Sequence, residues 1–357
     1  MILRQQAEQQ FAEELDNLKK TDKKNIPPNW EMSPAAVLTY LLGGKLKNGF
    51  EVSAKYIGNR RLMEIAIATL TTDRALLLYG LPGTAKSWVS EHIAAAVSGS
   101  STLLIQGTAG TSEESVRYGW NYARLLSEGP SEAALVSTPV MKAMQLGKIC
   151  RMEELTRMSA DVQDTLITIL SEKMLPIPEL AMEIQAIEGF NIIATANNRD
   201  KGVNELSGAL KRRFNTVILP VPETAAEEVE IVYTRVKELN RHIEIPKDVE
   251  LLVEIERIVH IFRELRSGST IDGRMKIKSP SATMSPAEAI SVMNNGIALS
   301  THFGNGQLNA HDLAAGLLGA VVKDPIQDHL VWNEYLETVV KTRENWRDIY
   351  RACKELE

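Results

Sequence analysis

Two cysteines are all that the 357 residues contain. Cys150 and Cys353 are too few and too far apart for a disulfide framework or a zinc site. They fit a reducing compartment. Long apolar runs are also missing: none approaches the roughly 20 residues that a membrane helix needs. The opening stretch MILRQQAEQQFAEELDNLKKTDKKN holds no apolar core of the kind a secretory signal carries. It reads instead as an amphipathic packing helix. Positive charge is not in excess, since the net charge is −6 at pH 7. That speaks against a chain-wide nucleic-acid footprint, while leaving room for a local basic groove. There is no internal repeat and no low-complexity tract. The expectation is a soluble cytoplasmic protein.

What is present is an ordinary globular balance, 44% hydrophobic and 24% charged, in a chain long enough for about two domains. Four stretches stand out. Residues 1–52 are a polar helical lead-in, interrupted by NIPPNW. Residues 53–221 alternate short apolar runs with helical patterns, as a parallel α/β sheet does. The expected strands are ALLLY (75–79), TLLIQ (102–106), KICRM (148–152), FNIIAT (190–195) and TVILP (216–220). Residues 222–328 read as a helical domain, split by a polar loop at 266–286. Residues 329–357 add one or two amphipathic helices, expected to pack on that domain.

One further absence is more pointed. GLPGTAKS, residues 80–87, nearly spells a phosphate-binding loop, but its second glycine is missing: Ala85 stands before Lys86. The context is nevertheless right, because the segment joins the strand ALLLY to the helical pattern AKSWVSEHIAAAV. Backbone N–H groups of such a turn and helix start surround a polyphosphate. Gly80 and Gly83 permit the tight turn. Lys86 would reach the β- and γ-phosphates and Ser87 would hold Mg²⁺. Ala85 is expected at the helix start with an ordinary negative φ.

Hydrolysis needs more than a phosphate loop. GKICRMEELTRM (147–158) supplies an apolar strand ending in Glu153 and Glu154. Glu153 is placed to hold Mg²⁺ through its water shell, and Glu154 to orient or deprotonate the attacking water. Two acids at a helix start also complement a helix dipole by themselves. FNIIATANNRD ends a buried strand in asparagines. Asn197, with Asn198 second, could hydrogen-bond the γ-phosphate or the water, and such a pair also suits a plain turn. SGALKRRFNTVILP brings Lys211, Arg212 and Arg213 before the last strand. One of them could stabilise transition-state charge at a neighbouring subunit's nucleotide; a basic helix end is the plainer account.

The order of these elements resembles an AAA+ ATPase module, and more closely its MoxR-like branch, where the phosphate loop commonly carries Ala before the Lys. The resemblance spans roughly residues 55–325. IGNRRLMEIAIATLTTDRALLLYGLPG (57–83) is similar to the family's lead-in, with Gly58 near the adenine. MEELTRMSADVQDTLITILSEKMLPI (152–177) is similar to its acidic motif and following helix, and YGWNYARLLSEGPSEAALVS (118–137) occupies its helix-2 insert. The resemblance implies an α/β, P-loop NTPase fold with a five-stranded parallel sheet flanked by helices, followed by a small all-helical lid. It implies ATP bound by Gly80, Leu81, Pro82, Gly83, Thr84, Ala85, Lys86, Ser87 and Gly58. Mg²⁺ would lie at Ser87 and Glu153, and catalysis at Glu154, Asn197 and Arg213 or Arg212. It further implies a homo-oligomeric, hexameric ring that remodels a protein client, possible partners being von Willebrand factor A-domain proteins or metal-insertion systems.

Three departures accompany it. Glu153 replaces an Asp. The finger region reads LKRRF, which favours Arg213 without separating it from Arg212. The helical lid normally offers an Arg after Ser-Pro, but MSPAEAISVMNNGIAL has Ala287 there and KSPSA has Ser281. Arg274, Lys276 or Lys278 would have to substitute. A nucleotide-binding scaffold with little hydrolysis, and a DNA- or GTP-linked restriction-type motor, are the competing expectations.

Overall fold

The computed structural model describes residues 4–197, 204–243 and 248–356. The chain divides into two compact units: Met1–Gly80 with Ala85–Leu219, and Leu81–Thr84 with Pro220–Glu357.

Strands buried on both faces carry unbroken apolar runs, because helices cover each side of a parallel sheet. The first unit is built on five of them: β1 (Ala75–Gly80), β2 (Leu104–Gln106), β3 (Ile149–Glu153), β4 (Asn191–Asn197) and β5 (Phe214–Ile218). Their spatial order is β5-β1-β4-β3-β2, and every neighbouring pair is parallel. The five-stranded parallel sheet expected from the sequence is therefore present. Its strand ends differ in detail. β3 runs on to Glu153 and β4 to Asn197, while β5 starts earlier, at Phe214. Among the described residues three two-stranded antiparallel pairs accompany the sheet, including Tyr118–Trp120 with Leu135–Ser137 in the expected insert.

Register fixes where chemistry can occur. Asn197 pairs with Gly80, and Gln106 with Glu153. The carboxyl ends of β1, β2, β3 and β4 thus meet at one edge, where open α/β sheets bind ligands. Side chains alternate between two cores. Leu77, Cys150, Met152, Ile192 and Ala194 enter one. Leu76, Leu78, Ile149 and Ile193 enter the other.

Four helices of this unit pack into the second core: α1 (Ala12–Thr21), α2 (Pro34–Leu42), α3 (Arg60–Leu70) and α4 (Lys86–Ser98). Asn59 caps α3, accepting from Arg61 N at 2.8 Å. α4 ends at Gly99, whose φ of +64° closes the last turn. The lead-in is held in two ways. Leu15 and Leu18 are buried in the core, and the buried Lys55 pairs with the half-buried Glu14 at 2.6 Å.

The second unit is helical: α5 (Ala225–Leu239), α6 (Asp248–Ser267), α7 (Pro286–His302), α8 (Ala310–Val321) and α9 (Gln327–Thr338). A Thr224–Glu227 capping box starts α5, and Ser285 caps α7. Trp332, Tyr335, Leu336 and Trp346 of the C-terminal stretch sit in the same core as α6, α7 and α8. The polar stretch between α6 and α7 is a loop pinned by the buried Asp328, which accepts from Ser281 N at 2.7 Å and Ser281 Oγ at 2.6 Å. Among the described residues no helix is long and apolar enough to cross a membrane.

Candidate nucleotide site

The sheet edge defined by register carries the phosphate-loop sequence. Gly83 has φ +77°, a conformation that favours glycine. Thr84 Oγ1 donates to the Leu81 carbonyl at 2.9 Å and closes the turn. Ala85 corrects the expectation of a negative φ. It is not within the helix but caps its start, at φ +62° and ψ +21°. The chain must reverse between Gly83 and the axis of α4, and it does so through a left-handed residue. An L-residue there costs about 1–2 kcal/mol, so the missing glycine is a strained substitution that the rest of the site holds in place.

α4 then presents Lys86 and Ser87 in its first turn. Lys86 is buried, and its Nζ donates to the Gly80 carbonyl at 3.2 Å. Ser87 Oγ donates to Glu153 Oε2 at 2.6 Å. The helix and the acidic strand are therefore joined through the two residues expected at the metal.

Glu153 is the most heavily bonded group of the site. Oε2 also accepts from Thr195 Oγ1 at 2.7 Å. Oε1 accepts from Arg151 Nη2 at 2.9 Å and from Ser90 Oγ. Burial pushes the Glu153 carboxyl up. The Arg151 guanidinium and the Ser87, Ser90 and Thr195 hydroxyls outweigh that and hold it below the usual carboxylate range. Hydroxyl and carboxylate oxygens are the donor set that Mg²⁺ takes, so Ser87 and Glu153 fit such an ion.

Glu154 turns sharply out of β3, with φ +55° and ψ +45°. Its N–H donates to Thr195 Oγ1 at 3.0 Å. Its carboxylate oxygens accept from Asn197 Nδ2 at 3.1 and 3.0 Å. A second acid in left-handed backbone, aimed by an asparagine of the adjacent strand, is the kind of local strain that clusters at functional sites. Gly107, just beyond β2, backs this turn. Its N–H donates to the Glu153 carbonyl at 2.7 Å, and a Cβ there would lie 2.4 Å from the Glu154 carbonyl oxygen. Only glycine fits without moving the acidic pair.

Residues 75–214 match the family described as AAA domain (dynein-related subfamily). Residues 226–357 match the YehL-like AAA+ ATPase C-terminal domain. The YehL protein of Escherichia coli (strain K12) is 40% identical over 352 residues, covering 97% of this chain and 95% of that one. The chain is a YehL-like AAA+ ATPase. The SH1500 protein of Staphylococcus haemolyticus (strain JCSC1435) is 28% identical over 150 residues, 42% of this chain and 56% of its own length. Among solved structures, NtrX from Brucella abortus in complex with ADP aligns at 13% identity and TM-score 0.49, over 84% of this chain and 63% of that chain.

In this AAA+ ATPase, Lys86, Ser87, Glu153, Glu154 and Asn197 converge on one sheet edge. Asn198 lies outside the described residues. Gly58 precedes the cap of α3 beside the Tyr56 ring. Its segment is tied to α4 through Trp88 Nε1, which donates to the Lys55 carbonyl at 2.8 Å. In the finger region, Arg213 Nε donates to Ser171 Oγ at 2.7 Å and its Nη1 to the Ala209 carbonyl at 2.6 Å. Arg212 has an exposed side chain, while its carbonyl accepts from Arg74. Lys211 approaches Glu205 at 3.9 Å. In the helical unit, Ala287 is the second residue of α7. Arg274 approaches Asp272 at 3.6 Å, and Lys278 pairs with Glu334 at 2.8 Å. Sequence reasoning passed over Arg151, Ser90, Thr195 and Gly107. A signal for the first existed: an Arg two positions before Glu153 in an apolar strand must share its face.

Ala85→Gly should relieve the left-handed strain, offset in part by the greater unfolded-state freedom of glycine. We expect a gain of about 0.5–1 kcal/mol in denaturant unfolding. A loss of stability would mean that the Ala85 methyl makes packing contacts worth more than its strain.

Proposed function

We propose that this chain is a Mg²⁺-dependent ATP hydrolase that works in a ring and turns nucleotide state into force on a protein client. The single observation that carries the hydrolytic reading is the Glu154–Asn197 pair. It stands at the sheet edge next to the cluster of Lys86, Ser87 and Glu153. Lys86 supplies the direct cation for the phosphates. Ser87 and Glu153 would hold a magnesium ion, which would neutralise phosphate charge there. Glu154 accepts a proton from water as the water oxygen bonds to the γ-phosphorus. The bond from that phosphorus to the bridging oxygen breaks, and ADP and phosphate leave. Asn197 keeps the Glu154 carboxylate aimed.

The cation from a neighbouring subunit is assigned to Arg212 in preference to Arg213. Two bonds within its own subunit hold the Arg213 guanidinium, while Arg212 is exposed. The hexameric ring, the MoxR-like kinship, and a von Willebrand factor A-domain or metal-insertion client belong to this reading and rest only on the resemblance of the sequence motifs. One observation favours a slower variant of it. α7 offers Ala287 at the position of a lid cation, and Arg274 and Lys278 have acidic neighbours within their own unit. Basal turnover is accordingly expected to be low and raised by the client.

Lys86→Ala should weaken ATP binding at least tenfold by calorimetry, because a charge-assisted contact worth roughly 1.5–3 kcal/mol disappears. Equal affinity would defeat the phosphate-loop assignment. Glu154→Gln should bind ATP normally yet lose about 100-fold or more of turnover; wild-type phosphate release would remove Glu154 from the chemistry. Doping Arg212→Ala subunits into wild-type assemblies should reduce activity more than in proportion to their fraction, with Arg213→Ala milder. A strictly proportional loss would place Arg212 outside its neighbour's site.

A further inference from the structure

The sheet contains one charge that the hydrolytic machinery does not use. Arg151 lies inside β3, flanked by β2 and β4, and is only 5% exposed. A guanidinium in that position is costly unless every donor is engaged. Here each donor nitrogen has a partner. Nε donates to Ser90 Oγ at 3.1 Å, Nη1 to the Ser101 carbonyl at 3.1 Å, and Nη2 to the Ser87 carbonyl at 3.1 Å and to Glu153 at 2.9 Å. Alternation along β3 puts Ile149, Arg151 and Glu153 on the face covered by α4. The guanidinium therefore lies between the acid and the first turn of that helix.

The consequence is electrostatic. An acid beside a bound divalent cation is ordinarily compensated by that cation. Glu153 is compensated already, by a covalently tethered positive charge in a buried environment where charge interactions are strong. The buried pair is neutral before any nucleotide arrives. Metal-free nucleotide, which carries more negative charge than its magnesium complex, then meets no uncompensated carboxylate. The same guanidinium holds the Ser87 carbonyl, and Glu153 holds the Ser87 hydroxyl, so the residue next to Lys86 is oriented from both ends.

We propose that Arg151 is a built-in counter-ion to Glu153, a positioning residue that makes nucleotide binding by this chain weakly dependent on divalent cation. The proposal rests on reading Ser87 and Glu153 as the metal side of a nucleotide site. It concerns affinity and charge, and is independent of whether hydrolysis is fast.

The test is the ratio of dissociation constants of a fluorescent ATP analogue, measured on the full chain with EDTA and with excess magnesium chloride. In Arg151→Met the uncompensated Glu153 should repel metal-free nucleotide and favour the magnesium complex, raising the ratio about tenfold or more. Arg151→Lys keeps the charge and should stay within about threefold of wild type. Glu153→Gln leaves the cation alone and should lower the ratio, and Arg151→Met combined with Glu153→Gln should return it towards the wild-type value. That last pair decides the matter if Arg151→Met alone does not fold, since replacing both members of a buried pair is often tolerated. One ratio common to all variants, with differences only in melting temperature, would reduce Arg151 to a structural role and overturn the proposal. No nucleotide binding by wild type under either condition would overturn the nucleotide site itself, and the proposal with it.

Discussion

The Glu153 carboxylate is the knot on which the site is tied. Its two oxygens take four donors, from β3 itself, from β4 and from two turns of α4. Ser87 and Ser90 bring the helix to the acid, Thr195 brings the neighbouring strand, and Arg151 supplies the charge. In a buried, low-dielectric setting such charge-assisted bonds are strong when complete, and costly when one member is missing. These bonds tie the first two turns of α4, and Lys86 at its start, to the acidic end of β3. Thr195 extends the network a step further, because it accepts the N–H of Glu154 while donating to Glu153.

Two strained residues flank that knot. Ala85 and Glu154 are both left-handed non-glycine residues, one on each side of the Ser87–Glu153 bond. Neither conformation would persist in a loose loop. α4 is also braced from behind by the lead-in segment. Glu91 accepts from the Ala7 N–H at 3.2 Å, Tyr40 hydroxyl and His92 Nδ1 are 2.8 Å apart, and Phe11 packs edge-on to Trp88 and His92. The N-terminal segment thus braces α4 through Glu91, His92 and Trp88. It fixes the helix whose first turn carries Lys86 and Ser87, and a fixed donor array loses less on binding than a flexible one.

Much of this was legible in the sequence because it depends on local pattern. Continuous apolar runs announced the five strands. The glycines of GLPGTAKS announced the turn, and acids or asparagines at strand ends announced Glu153, Glu154 and Asn197. Other features were hidden because they depend on several elements at once. The sign of φ at Ala85 is set by the path from β1 into α4, which residue type alone does not encode. Ser90 and Thr195 become partners of Glu153 only when a helix and a third strand converge. Gly107 looks like an ordinary loop glycine until the acidic turn is laid against it. Arg212 and Arg213 are equivalent as letters. They differ only through Ser171 and Ala209, which lie elsewhere in the fold or along the helix turn. Arg151 could have been read, since period two alone places it beside Glu153, but a cation within an apolar strand is easily passed over as an exception.

The central claim is that this sheet edge binds and splits ATP, with a charge lent by the next subunit. The most direct measurement is phosphate release per subunit by the wild-type chain, followed at saturating ATP and magnesium over a wide range of protein concentration. The account predicts release that rises per subunit as assembly proceeds and then levels off once rings are complete. Saturated nucleotide binding with no phosphate release at any concentration would contradict it.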